Sequence, residues 1–160
     1  MKNGENTVVL VIDDDTVIRQ SIASYLSNDG CRVILAGNSK EGIASFHSSC
    51  PDLVICDINL PKSSDGFDTL KTIFEENTTQ PIIILSEEGG TEDVIRAMRL
   101  GVSDYLIKPL DLEILAISIE NSLKRATMLE QNIRYRKNLE EINRELEERL
   151  EIFQMDQQAG

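Results

Sequence analysis

Four of the five short apolar runs in this chain end on a polar residue with chemistry to offer, and that placement constrains the fold more than any other feature. Val8-Val9-Leu10-Val11-Ile12 stops at Asp13-Asp14-Asp15, and Leu53-Val54-Ile55-Cys56 stops at Asp57. Ile82-Ile83-Ile84-Leu85 stops at Ser86, and Tyr105-Leu106-Ile107 stops at Lys108-Pro109. A further run covers residues 31–35. Continuous apolar, β-branched runs suit parallel strands covered on both faces. Helical patterns separate them. Asp13-Asp14-Asp15-Thr16 caps a helix with Val17, Ile18, Ile22 and Leu26 to one side, and Asn38-Ser39 caps one with Ile43, Ala44 and Phe46 inward. Leu70, Ile73 and Phe74 mark a third. Thr91 is the predicted N-cap of a fourth, with Val94, Ile95, Met98 and Leu100 inward, and a last helix starts near Asp111. Such alternation predicts an α/β chain with an open five-stranded parallel sheet and helices on both sides. In these sheets the ligand crevice lies at the carboxyl ends of the strands. Asp13, Asp14, Asp57, Ser86 and Lys108 therefore converge there.

The charge balance narrows the function classes. The 160 residues carry 28 acids against 16 bases, a net charge of −12. Phosphate backbones and anionic lipid surfaces repel such a chain, and no basic run overrides this, so direct nucleic-acid or membrane binding is not expected. No apolar run approaches the length of a membrane span, and residues 1–6 show no leader-type apolar stretch. Cys31, Cys50 and Cys56 lack metal-ligand spacing. Cys31 and Cys56 read as buried thiols of a reducing, cytoplasmic compartment. His47 reads as a surface or packing residue.

From about Ala126 to Gln157 the pattern changes to one uninterrupted helix without Gly or Pro. Apolar residues recur at Met128, Tyr135, Leu139, Ile142, Leu146, Leu150 and Phe153, and Met128, Leu139 and Leu150 are eleven apart. Opposite charges four apart (Glu130/Arg134, Arg136/Glu140, Lys137/Glu141, Arg144/Glu148) support the helix. Asn132 lies on the stripe, where a polar residue sets register or oligomer state. A stripe this long needs a partner, most simply the same helix of a second chain.

At the crevice, three carboxylates repel one another and all stay ionised only beside cations. A hard dication with oxygen ligands, Mg²⁺ above all, suits them. Together with the Lys108 ammonium and the Ser86 hydroxyl it makes a receptor for phosphoryl oxygens, with Asp57 as nucleophile. Singly, Asp13-Asp14-Asp15 reads as a helix cap, Ser86 as a turn and Lys108-Pro109 as a strand stop; their joint order on one scaffold is what points to function.

These residues, with Asn59 and Pro61 after Asp57, Gly66 and Tyr105, resemble a response-regulator receiver domain of two-component signalling, over about residues 6–125. The resemblance implies a flavodoxin-like (β/α)5 fold for residues 1–125 and a helical coiled-coil linker, residues 126–160, to an output domain in cis. It implies that Asp57 accepts a phosphoryl group from a histidine kinase or phosphotransfer protein. Asp13, Asp14, Asp57 and the backbone carbonyl of Asn59 hold Mg²⁺, with Asp13 reaching it through water. Lys108 pairs with the phosphoryl oxygens. Ser86 closes on the group as Tyr105 swings inward, remodelling the face of the fourth helix, fifth strand and fifth helix. A homodimer through the C-terminal helix is expected.

The pattern departs from the family in places. Asp65 comes four residues after Pro61 rather than three, so Lys62-Ser63-Ser64 holds one extra residue. Glu87 stands where the family often has Ala and is expected to slow phosphorylation, and Glu88 occupies a position that tunes dephosphorylation. The ending Asp156 to Gly160 resembles the entry to a metal-dependent phosphatase-type output domain, as in stress sigma-factor regulators, and is expected to be a cut in a longer chain; a cyclic-dinucleotide enzyme is an alternative output. Two other readings compete for the whole chain. One is a degenerate receiver serving as a constitutive binding module. The other is an aspartate-nucleophile phosphohydrolase, which would carry its nucleophile after the first strand and need a cap domain.

Overall fold

Each apolar run forms a parallel strand, and the reason is visible in where alternate side chains go. The computed structural model describes residues 6–61 and 66–160. Their elements follow in the order β1 (Val8–Ile12), α1 (Thr16–Asn28), β2 (Arg32–Ala36), α2 (Ser39–Ser49), β3 (Leu53–Asp57), α3 (Gly66–Glu76), β4 (Ile82–Ser86), α4 (Thr91–Leu100), β5 (Asp104–Ile107) and α5 (Leu112–Gln158). The strands make one parallel sheet in the order β2-β1-β3-β4-β5. The chain thus has the five-stranded, helix-covered fold expected of its pattern, with a long C-terminal helix.

Successive strand residues face opposite sides. Leu10, Ile12, Val54, Cys56, Ile82 and Ile84 pack with Phe46, Phe67, Leu70, Ile73 and Ala97 of α2, α3 and α4. Val9, Val11, Leu53, Ile55, Ile83 and Leu85 pack with Ile22, Leu26, Leu115 and Ile119 of α1 and α5. β1, β3 and β4 are buried on both faces, so their positions are apolar until the strand leaves the core. The first polar residue after each run therefore marks the carboxyl edge of the sheet.

Side-chain caps set most helix starts. Asp15 accepts from the Val17 and Ile18 N–H groups, Asn38 from Glu41, and Asp111 from Glu113 and Ile114. At α4 the N-cap is Gly90, without a side-chain bond, and the predicted cap Thr91 is the first helical residue. Gly30 and Gly101, at φ 85° and 93°, turn the chain out of α1 and α4.

The structure corrects several inward positions. Val17 is 73% exposed, and Ile95 and Met98 are each 47% exposed; Ala44 is exposed as well. A helical stripe identifies a face only to within its flanking positions, and the sheet selects among them. On α4 it takes Ala97, the small residue that lets the helix approach, and leaves Ile95 and Met98 outside. Cys31 and Cys56 are buried and Cys50 is exposed. His47 is a surface residue, as expected, and its Nε2 lies 2.8 Å from Glu76 of α3. Among the described residues, no helix is long and apolar enough to cross a membrane.

The chain divides into two units, Met1–Ala126 and Thr127–Gly160. In the second, every residue is exposed and the helix runs without a break to Gln158.

Gly66, the first residue of α3, passes close beneath the end of β3. A Cβ there would lie 2.5 Å from the Asp57 carbonyl oxygen and 2.5 Å from the Ile58 Cα, both backbone atoms that cannot rotate away. Gly66→Ala is expected to destabilise the fold by about 1–3 kcal/mol through this overlap. Gly37→Ala, which would meet the Arg19 side chain at 3.4 Å, is expected to leave stability within about 0.5 kcal/mol. Urea unfolding of the two variants side by side checks both.

Candidate functional site

The site forms because four strands release a polar residue at the same edge. Asp13 follows β1, and its N–H donates to the Ala36 carbonyl at 3.1 Å, which holds it at the end of the sheet. Its Oδ1 accepts the Asp15 N–H at 2.8 Å. Asp57 is the last residue of β3 and Ser86 the last of β4; each is 1% exposed. Lys108 follows β5, and its N–H donates to the Ser86 carbonyl at 2.8 Å.

That backbone bond aims the Lys108 side chain back across the sheet edge. Its ammonium donates to Asp57 Oδ2 at 2.8 Å and lies 2.9 Å from Asp13 Oδ2. Asp14 is exposed, and one carboxylate oxygen from each of Asp13, Asp14 and Asp57 lies within 4.8 Å of the others. Asn59 closes the near side: its N–H donates to Asp57 Oδ1 at 2.8 Å.

Burial dominates at Asp13 and raises its carboxyl above the ordinary value, against the pull of the Lys108 ammonium and the Asp15 N–H. Burial is also the largest influence on Lys108 and acts to lower it, but Asp57 and Asp13 together outweigh it and hold the ammonium above its ordinary value.

The charge count leaves room for a dication. Three carboxylates against one ammonium leave a local charge of −2. Asp13 Oδ2 is buried and accepts no hydrogen bond, with the Lys108 ammonium 2.9 Å away as its ion-pair partner. An all-oxygen donor set with an unsatisfied buried oxygen fits a hard divalent cation such as Mg²⁺.

Ser86 and Tyr105 share one acceptor, the Glu88 carbonyl. The Ser86 hydroxyl donates to the Glu88 carbonyl at 2.7 Å and lies 3.2 Å from Asn59 Oδ1. The Tyr105 hydroxyl donates to the same Glu88 carbonyl at 3.1 Å. Glu87 is exposed, and its N–H donates to Asn59 Oδ1 at 3.3 Å. The predicted extra residue in Lys62-Ser63-Ser64, and Asp65, lie outside the described residues.

Sequence reading missed two parts of this arrangement. One is the Asn59 side chain, which ties the loop after β3 to the loop after β4. The other is Arg19, whose guanidinium donates to the Asp13 carbonyl at 2.6 Å and to Thr16 Oγ1 at 3.1 Å. The signal for Arg19 was its place one turn inside the helix that Asp15 caps.

The comparisons agree with this geometry. Residues 9–120 match the response regulator receiver domain family. The chain is 33% identical over 128 residues to the transcriptional regulatory protein ZraR of Klebsiella oxytoca, covering 80% of this chain and 29% of that protein. It is similar to a response regulator receiver domain protein of Clostridium thermocellum, with 37% identity, a TM-score of 0.72, and 77% and 98% of the two chains covered. NtrX of Brucella abortus, at 28% identity and a TM-score of 0.78, covers 82% of this chain, which spans 30% of NtrX. The chain thus spans under a third of ZraR and NtrX.

Lys108→Met tests the electrostatics of the site without added metal. Removing the cation from a buried pair is expected to destabilise the fold at neutral pH by about 3 kcal/mol. Without it, the folded-state pKa of Asp13 rises further above the unfolded value, so stability returns as pH falls through that raised value. Millimolar Mg²⁺ is expected to restore part of it at neutral pH. Thermal unfolding across pH checks this; an equal loss at every pH would show a packing defect instead. In the wild type the Lys108 contribution is complete below the ordinary value of 10.5 and is lost as pH rises through the raised folded value.

Proposed function

The chain belongs to the response regulator receiver domain family, and on that premise we propose that it is a phosphorylation-dependent signalling switch. Asp57 is the phosphoacceptor, and the donor is a phosphohistidine on a sensor kinase or phosphotransfer protein. One observation carries the reading. Asp57 sits at the end of a fully buried strand, 1% exposed, with an ammonium on one oxygen and a backbone N–H on the other. Such a carboxylate is desolvated, oriented and flanked by the charge that a phosphoryl group needs.

In the transfer, an Asp57 carboxylate oxygen forms the bond to phosphorus while the P–N bond of the phosphohistidine breaks, and the imidazole leaves with a proton from solvent. Lys108 keeps its charge beside the incoming phosphoryl oxygens. Asp13, Asp14, Asp57 and the Asn59 carbonyl would hold Mg²⁺, which when bound neutralises charge on the phosphoryl oxygens. The phosphoryl oxygens then compete with the Glu88 carbonyl for the Ser86 hydroxyl. That carbonyl also holds the Tyr105 hydroxyl, so a change at Ser86 reaches Tyr105 through one shared acceptor. From there the state passes to the face of α4, β5 and α5, where Ile95, Met98 and Ile107 are exposed.

The chain acts in the cytoplasm, as a homodimer through its C-terminal helix, with an output domain in cis. It has no turnover chemistry of its own beyond phosphorylation and dephosphorylation of Asp57. A phosphatase-type output of a sigma-factor regulator is one reading of that domain. The relatives named as transcriptional regulators support a transcriptional output instead.

Intact mass after incubation with acetyl phosphate and Mg²⁺ tests the chemistry. A single phosphoryl adduct is expected on the wild type, with none on Asp57→Asn and none without Mg²⁺. An adduct that persists on Asp57→Asn would move the site elsewhere. If no adduct forms and beryllofluoride does not bind, the chain is a constitutive binding module.

A further inference from the structure

The second unit, Thr127–Gly160, is exposed at every residue, yet it carries a stripe no monomer needs. Met128 is 63% exposed, Leu139 60%, Leu146 51% and Phe153 60%. The positions 128, 132, 135, 139, 142 and 146 alternate in steps of four and three, the spacing of a coiled-coil seam. Seen from that seam, the charges partition. Of the twelve charged residues between 127 and 153, nine fall on the three outward positions of the heptad. The flanking positions carry the other three, Arg136, Glu145 and Arg149, beside the uncharged Leu129, Gln131, Asn138 and Asn143.

We infer that this unit pairs with the same segment of a second copy as a parallel, in-register coiled coil, in which Asn132 faces Asn132. The inference rests on the homodimer proposed above and deepens it. Neutral flanks neither attract a charged partner helix nor repel an identical one, which selects self-association. Asn132 selects the orientation. In a parallel pair each seam residue meets its own copy, so the two amides hydrogen-bond to each other. In an antiparallel pair Asn132 would meet a different, mostly apolar layer and stay unsatisfied. The seven apolar residues at 128, 135, 139, 142, 146, 150 and 153 would bury roughly 1,200 Å² over two copies, the lower range of stable interfaces.

The seam changes step once. A strict heptad would place Arg149 after Leu146, with two guanidinium groups face to face. A step of four instead brings in Leu150, followed by Phe153 three residues later. This insertion locally unwinds the supercoil and carries Arg149 to the rim. The eleven-residue spacing from Leu139 to Leu150 is the same step seen over a longer span.

The test uses the full chain with Cys50→Ser, which removes its exposed thiol. Asn132→Cys, Leu139→Cys and the outward Lys137→Cys are introduced singly and oxidised mildly, beside sedimentation velocity of the wild type. The expected result is a wild-type dimer, disulfide-linked dimers at 132 and 139, and none at 137. A wild-type monomer at high micromolar concentration overturns the homodimer itself. A dimer linked at 137, or at neither seam position, overturns the parallel register and leaves the homodimer standing. Phosphorylation of Asp57 is read by mass and is independent of both. For the change of step, Leu150→Ala is expected to weaken the dimer by at least about tenfold and Arg149→Ala by less than about twofold. The reverse order overturns the step at Leu150.

Discussion

The Lys108 ammonium between Asp57 and Asp13 is the contact on which the rest of the site depends. It joins the ends of β5, β3 and β1 across the carboxyl edge of the sheet, and both carboxylates are buried. Buried like charges at this distance are tolerable only with a cation between them. The ammonium supplies one positive charge against three carboxylates, so the site holds its shape while retaining a negative charge that a divalent cation can satisfy. Structural and functional demands therefore fall on the same atoms. The side chain that lets two acids be buried is also the one that, in the proposed function, would meet a phosphoryl group.

This arrangement needs a rigid edge, and the sheet provides one. β3 and β4 are buried along their whole length, and both faces are sealed by helices. The polar residues leave the core at fixed points because the register is fixed: Asp57 pairs with Leu85, and Ser86 with Ile107. The loops beyond are joined by polar contacts rather than packing, through Asn59 and the Glu88 carbonyl. Contacts of that kind can exchange partners at modest cost, whereas a packed core cannot. A stable edge carrying exchangeable loop contacts is what a switch requires.

The fold and most of the site were legible in the residues alone, for a definite reason. Parallel strands sealed on both faces must be continuously apolar, so the first polar residue after each run marks the crevice. That logic located Asp13, Asp57, Ser86 and Lys108. It also showed an amphipathic tail with Asn132 on its stripe, because helical spacing is local in sequence. What the sequence left open was set by contacts distant along the chain. No local pattern says that the sheet takes Ala97 and leaves Ile95 and Met98 outside, that His47 meets Glu76, or that Ser86 and Tyr105 share one carbonyl. Periodicity identifies which residues belong to a face. Only the packed structure decides which edge of that face is buried and which polar atoms meet, because those choices depend on elements brought together from the whole length of the chain.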